Sequence, residues 1–229
     1  MQHTRLGPYT VFFDSSEEYH RLKREVWGAN GYYVELEKAN PVILDIGAHI
    51  GLTTLYYKKL YPQSKIIAVE PVPENAALLR HTIFENQLEG VEVYEEAVSD
   101  HAGEETLYAP ESGEWRINTS VYRGAWTGDQ ESIAFTVACR LLSYYLDRYR
   151  PDLVKLDIEG AEQEVLTASK ASLTQSPRYL IEFHPVDGRG MDGVIKLFGD
   201  LGYEVTVEKD GRQVHWRKAW GLSLIRASR

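Results

Sequence analysis

With 229 residues and a formal net charge of −9, the chain can bury a full core but lacks the basic footprint of a phosphate-binding surface, so nucleic acid is not the expected partner. Cys139 is the single cysteine, which excludes an intrachain disulfide and a multi-cysteine zinc site. No apolar run is long enough to span a bilayer, and Met1–Pro8 lacks the apolar core of a signal peptide, so a cytoplasmic address without a membrane partner is expected.

In chain order, residues 1–40 read as an N-terminal cap, with a strand near Tyr9–Phe13 and a helix near Glu17–Trp27. Val42-Ile43-Leu44-Asp45 is the first buried strand. Gly51–Tyr61 follows as a helix with Leu52, Leu55, Tyr56 and Leu60 on one stripe. Strand Ile66–Glu70 and helix Glu74–Asn86 repeat the unit, and Val91–Tyr94 is a third strand. Residues 104–140 form an insertion containing Trp115, Asn118, Trp126 and Gly128; it either covers a ligand crevice or simply adds a hairpin to the sheet.

Strands Leu153–Asp157 and Tyr179–Glu182 come next, joined by helices near Ala161–Ser169 and Asp192–Leu201, the second stopped by Gly202. Glu204–Glu208 and roughly Val214–Ile225 close the chain as strands. The Asp210-Gly211 turn between them implies an antiparallel strand at that sheet edge. Alternating strands and helices predict one α/β domain over residues 1–229, with a Rossmann-like, mostly parallel sheet in residues 41–229.

Four of these strands end in a carboxylate: Asp45, Glu70, Asp157 and Glu182. Ligands of open α/β sheets bind beyond the carboxyl ends of the strands, so several of these acids should face one crevice. Such crowding is costly unless a cation or a hydroxyl-rich group is held there. The loop Asp45-Ile46-Gly47-Ala48-His49-Ile50-Gly51 is not the dinucleotide fingerprint, since His49 stands where a second glycine belongs. Asp45 would repel a pyrophosphate. S-adenosylmethionine instead offers an ammonium, a sulfonium and a ribose diol, and Glu70 is placed to accept from both ribose hydroxyls. Acids at strand ends can also cap backbone amides, which is the plain alternative for Asp45 and Glu70.

Val42–Gly51 resembles the first motif of class I methyltransferases, and Val154-Lys155-Leu156-Asp157-Ile158-Glu159-Gly160-Ala161-Glu162 resembles the signature of the FkbM family in that class. Glu96–Asp100 and Glu182-Phe183-His184 are also similar to that family, and the likeness runs from about residue 40 to 205. The resemblance implies a seven-stranded class I methyltransferase fold and methylation of a hydroxyl on a small metabolite or sugar. Carried onto this chain, it places Gly47, His49, Gly51 and Thr53 around the methionine end of the cofactor. Glu70 and Pro71 then fall on the ribose and adenine side, and Ala97 near the adenine.

Methyl transfer needs an aligned acceptor and a destination for its proton. Asp157, Glu159 and His184 are the catalytic candidates, with His184 or Asp157 as base and Glu159 positioning the acceptor or cofactor. A divalent ion on Asp157, Glu159 or Glu182, and His184 is the second version; the metal-free one is preferred because no tight ligand spacing compels a metal. His184 can also be a loop histidine bonded to backbone, and Glu159 and Glu162 can cap a helix. Lys155, inside a buried strand, is expected to pair with a neighbouring acid. A nicotinamide oxidoreductase, a nucleic-acid methyltransferase (Asn86 is its faint parallel) and a cofactor-binding module without turnover are the rival readings.

Overall fold

The computed structural model describes the chain except residues 29–30, 111–118, 126–131, 187–189 and 220. Trp115, Asn118, Trp126 and Gly128 therefore lie outside the described residues. The chain begins with an antiparallel hairpin of β1 (Gln2–Leu6) and β2 (Tyr9–Phe13). Helix α1 (Ser16–Leu22) follows, capped by Ser15, and continues as a π-helical stretch, Lys23–Gly28. The βα units are β3 (Val42–Ile46), α2 (Leu52–Leu60), β4 (Lys65–Val69), α3 (Pro73–Glu85) and β5 (Val91–Tyr94).

A second series begins with β6 (Ala97–Ser99), β7 (Gly103–Pro110), β8 (Ser132–Leu141) and α4 (Leu142–Tyr149). It continues through β9 (Leu153–Leu156), α5 (Glu162–Ala168), β10 (Arg178–Phe183) and α6 (Asp192–Asp200). The chain closes with β11 (Glu204–Lys209), β12 (Arg212–Val214) and β13 (Ser223–Ser228).

Among the described residues the main sheet has eight strands in the order β12-β11-β13-β10-β9-β3-β4-β5. The run from β10 to β5 is parallel, and β13 is antiparallel to both β10 and β11. The expected single strand from Val214 to Ile225 is thus divided in two. Ile225 and Ala227 are fully buried and need a neighbour on each side, so β13 lies inside the sheet. The outermost place goes to the largely exposed β12, returned by a turn in which Asp210 and Gly211 both have positive φ.

Period-two patterning makes the central strands two-sided. In β3, Leu44 and Ile46 join the core beneath α4, α5 and α6, whereas Ile43 packs with Tyr56 and Tyr57 of α2. The N-terminal hairpin and α1 form an extra layer outside α2 and α3 through Phe12, Phe13, Tyr19, Leu52, Leu55 and Leu78. Asn86 clasps that layer: its side chain accepts from Thr10 N at 2.8 Å and donates to Thr10 O at 2.6 Å. This accounts for the asparagine after α3 without any nucleic-acid role.

The insertion does not lengthen the main sheet. Strands β6, β8 and β7 form a separate three-stranded sheet. Strand order in the main sheet reverses between β3 and β9, and the carboxyl ends of these two strands open the crevice described next.

Candidate active site at the switch point

Two close approaches build the loop after β3. Gly47 has φ +73°, and a Cβ there would lie 1.8 Å from the Asp157 carbonyl oxygen, so only glycine fits between the two strand ends. Gly47 N and Ala48 N both donate to Val69 O, at 2.9 and 3.1 Å. His49 is a non-glycine residue at φ +52°, a strained conformation of the kind that gathers at ligand sites. Its backbone N donates to Glu70 Oε2 at 2.8 Å, and its Nε2 lies 2.7 Å from Glu18 Oε1 on α1.

Glu70 is nearly enclosed, and Val72 N at 3.0 Å and Asn75 Nδ2 at 3.3 Å donate to its other oxygen. Burial raises its pKa, against the opposing pull of His49 and of these amides.

Two cavities meet over this loop. The first is lined by Glu70, Pro71 and Ala97, and the insertion roofs it with Leu107, Thr119 and Val121. The insertion thus covers the crevice, and Ser120 Oγ ties it down by donating to Glu159 O at 2.7 Å. The second, about 360 Å³, is lined by Thr53, Glu182 and His184 and by Arg21, Glu25 and Tyr32 of the N-terminal layer. Leu22, Gly47, His49, Asp157 and Glu159 line both.

Two of the expected cofactor residues are not in either wall. Asp45 is fully buried beneath the loop, accepts from Thr54 Oγ1 at 2.6 Å and lies 3.6 Å from Lys155 Nζ. Its side chain is directed to the α2 face, where the bond from Thr54 ties it to that helix. Gly51 begins α2 at φ +93°, where a Cβ would lie 2.5 Å from Leu79 Cδ1. Thr53 lines the second cavity and not the first.

The three catalytic candidates do converge. His184 Nε2 lies 4.0 Å from Asp157 Oδ1 and 3.5 Å from Glu159 Oε2, with Glu182 Oε1 at 4.0 Å. His184 Nδ1 faces Glu162 Oε1 at 3.2 Å. Glu162 has no exposure and also accepts from the backbone N of Gly160 at 3.0 Å and of Ile158 and His184 at 3.4 Å. Glu159 is the second non-glycine residue of the site in left-handed backbone, at φ +58°.

Lys155 Nζ donates to Gly47 O at 2.6 Å and pairs with Asp157 Oδ2 at 3.2 Å, as its burial in the strand required. Tyr32 donates a short hydrogen bond to Glu182 Oε2. Burial pushes Glu159 up to about 8, with His184 pulling the other way. Burial alone would lower His184, but the Glu162 bond and the charges of Glu159 and Asp157 push it up to about 10.

Sequence reasoning missed Arg21, Glu25 and Tyr32. One signal was available: Glu25 sits at helical spacing between Leu22 and Val26, an acid on an apolar stripe. Glu162 was read only as a helix cap, and no local pattern could have paired it with His184 22 residues away.

The model of the methyltransferase FkbM domain matches residues 45–205. The chain is 32% identical over 189 residues to methyltransferase sdnD of Sordaria araneosa, covering 71% of this chain and 72% of that protein. It is 28% identical over 154 residues to 2-O-methyltransferase NoeI of Sinorhizobium fredii, covering 62% of each. Among solved structures, methyltransferase FkbM from Methylobacillus flagellatus superposes with a TM-score of 0.54 at 16% identity, covering 92% of this chain and 50% of that one; it shares the fold.

Proposed function

The chain belongs to the FkbM methyltransferase family and takes its methyl group from S-adenosylmethionine, and on that premise we propose that it methylates a hydroxyl oxygen of a small molecule held in the second cavity. The observation that carries this reading is that two cavities of different character share one rim of Gly47, His49, Asp157 and Glu159. In the first, Glu70 would hold the ribose diol, Pro71 and Ala97 would flank the base, and Gly47 and His49 would hold the methionine end. The relative NoeI, a 2-O-methyltransferase, supports oxygen as the acceptor atom.

The acceptor oxygen forms a bond to the methyl carbon as the carbon–sulfur bond breaks. S-adenosylmethionine would supply the methyl group and keep the electron pair of that bond, leaving as the neutral thioether S-adenosylhomocysteine. The hydroxyl proton passes to the carboxylates at the rim. Asp157 is the most open of the three candidates, with 22% of its side chain exposed against 16% for Glu159 and 8% for His184, so it is the group an acceptor meets first. His184, held by Glu162, keeps the two carboxylates in register.

Glu25, Asp157, Glu159 and Glu182 together line the second cavity, which suits a hydroxyl-rich acceptor better than a phosphate-bearing one. No helix among the described residues is long and apolar enough to cross a membrane.

The test is calorimetric titration with S-adenosylhomocysteine, followed by a panel of sugars and hydroxylated metabolites with methyl-tritiated cofactor. Saturable binding and label transferred to an ether oxygen are expected. Folded protein that binds no nucleoside, or that methylates only nitrogen or nucleic acid, overturns the proposal.

A further inference from the structure

We propose that Asp157, Glu159 and His184 bind a divalent cation of the Mg²⁺ or Mn²⁺ class at the rim between the two cavities. The inference rests on reading that rim as the place where methyl group and acceptor meet. It reverses the metal-free expectation, which followed from the absence of a tight ligand motif; the ligands come from two strand ends and a strained turn, a set that spacing along the chain hides.

One ligand atom from each residue lies within 4.8 Å of the others. Around a six-coordinate ion with bonds of about 2.1 Å, neighbouring ligands sit about 3 Å apart, so a small inward movement of carboxylates closes the site. The two nearest atoms, His184 Nε2 and Glu159 Oε2, are already at 3.5 Å.

The surroundings are those of a ligating histidine. His184 turns Nδ1 to the wholly buried Glu162 carboxylate, which fixes the ring with Nε2 towards Asp157 and Glu159. Carboxylate–imidazole pairs of this kind orient metal-bound histidines. Asp157 divides its oxygens in the same sense: Oδ2 pairs with Lys155 and Oδ1 is on the His184 side. Glu159 holds φ +58° although it is not glycine, and this backbone brings its carboxylate back over the cluster.

Two carboxylates balance the charge of the ion, and one imidazole favours Mn²⁺ over Mg²⁺ without excluding either. Three protein ligands leave positions facing the second cavity. An acceptor hydroxyl that takes one of them is polarised at the atom to be methylated, and its proton passes to a rim carboxylate oxygen not bound to the ion, such as Asp157 Oδ2 on the most open of these side chains, or to water.

Mn²⁺ titration of chelator-treated protein, read by loss of the free-ion electron paramagnetic resonance signal, tests this with and without S-adenosylhomocysteine. We expect one saturable Mn²⁺ per chain, displaced by Mg²⁺, and at least about tenfold weaker binding in Glu159→Gln and His184→Ala. Asp100→Asn, at the surface group Asp100–His101–Glu105, should leave it unchanged. Pulsed measurements should detect ¹⁴N coupling to the bound ion.

Absence of saturable binding, loss of binding in Asp100→Asn alone, or bound Mn²⁺ without nitrogen coupling overturns the site. The nitrogen coupling is read on wild-type protein, so it decides even if a variant fails to fold. Failure to bind S-adenosylhomocysteine counts against the methyltransferase site alone, and failure to bind Mn²⁺ against the cation alone.

Discussion

Replacing Glu70 by alanine separates its two tasks. On the proposed reading the carboxylate accepts from both ribose hydroxyls of the nucleoside, and charge-assisted hydrogen bonds of this kind contribute about 1.5–3 kcal/mol each. Losing both removes about 3–6 kcal/mol, and with water partly refilling the gap the Kd for S-adenosylhomocysteine should rise by about a hundredfold or more. The same substitution leaves His49 N and Val72 N, bonded to Glu70 at 2.8 and 3.0 Å, without their acceptor. That costs about 1–3 kcal/mol of stability, a fall in Tm of about 2–4 °C per kcal/mol for a chain of this size.

Calorimetry and thermal melting on the same preparation measure both effects. Asn75→Ala is the internal control. It removes only the 3.3 Å bond that steadies Glu70, so its affinity loss should stay within about tenfold. An alanine variant at position 70 that melts cooperatively and binds within threefold of wild type would refute the ribose assignment.

Gly47→Ala places a methyl 1.8 Å from the Asp157 carbonyl at φ +73°; a loss of about 3–5 kcal/mol in urea denaturation and of nucleoside binding is expected, and wild-type stability would disprove the close approach. Lys155→Met strands fully buried Asp45 beside Asp157 and should cost about 3–5 kcal/mol, partly recovered in the Asp45→Asn/Lys155→Met double variant; a non-interacting cycle would count against the pairing. Tyr32→Phe removes the donor to Glu182 in the second cavity. It should leave S-adenosylhomocysteine affinity within about twofold while raising the acceptor's KM or lowering kcat, and a large loss of nucleoside affinity would place Tyr32 on the wrong side of the rim.

The central sheet was legible because its signals are local. Ile43, Leu44 and Ile46 alternate between two cores, and Gly47 marks the point where two strand ends touch. Glu70 and the Asp157–Glu162 stretch stood out for the same reason. What local pattern does not carry is three-dimensional direction. Asp45 ends its strand like Glu70, yet the pleat turns it under the loop, and no pattern in the sequence distinguishes a strand-end acid that faces α2 from one that faces the crevice. The split of the last strand into β12 and β13 escaped notice because exposure along that stretch, not hydropathy, separates the two. The second cavity depends on bringing Arg21, Glu25 and Tyr32 to the strand ends, which only tertiary packing does.

The family match begins at residue 45, whereas Arg21, Glu25 and Tyr32, which wall the second cavity, all precede it. On the proposed reading, part of the wall that meets the acceptor therefore lies outside the family match, while Asp157, Glu159, Glu182 and His184 of the same cavity lie within it. On that reading, a lineage that changes Arg21, Glu25 and Tyr32 would change what it methylates while Glu70, Pro71 and Ala97 stay as they are. Grafting the stretch from Arg21 to Tyr32 between relatives is, on that reasoning, the economical way to move acceptor preference from one member to another.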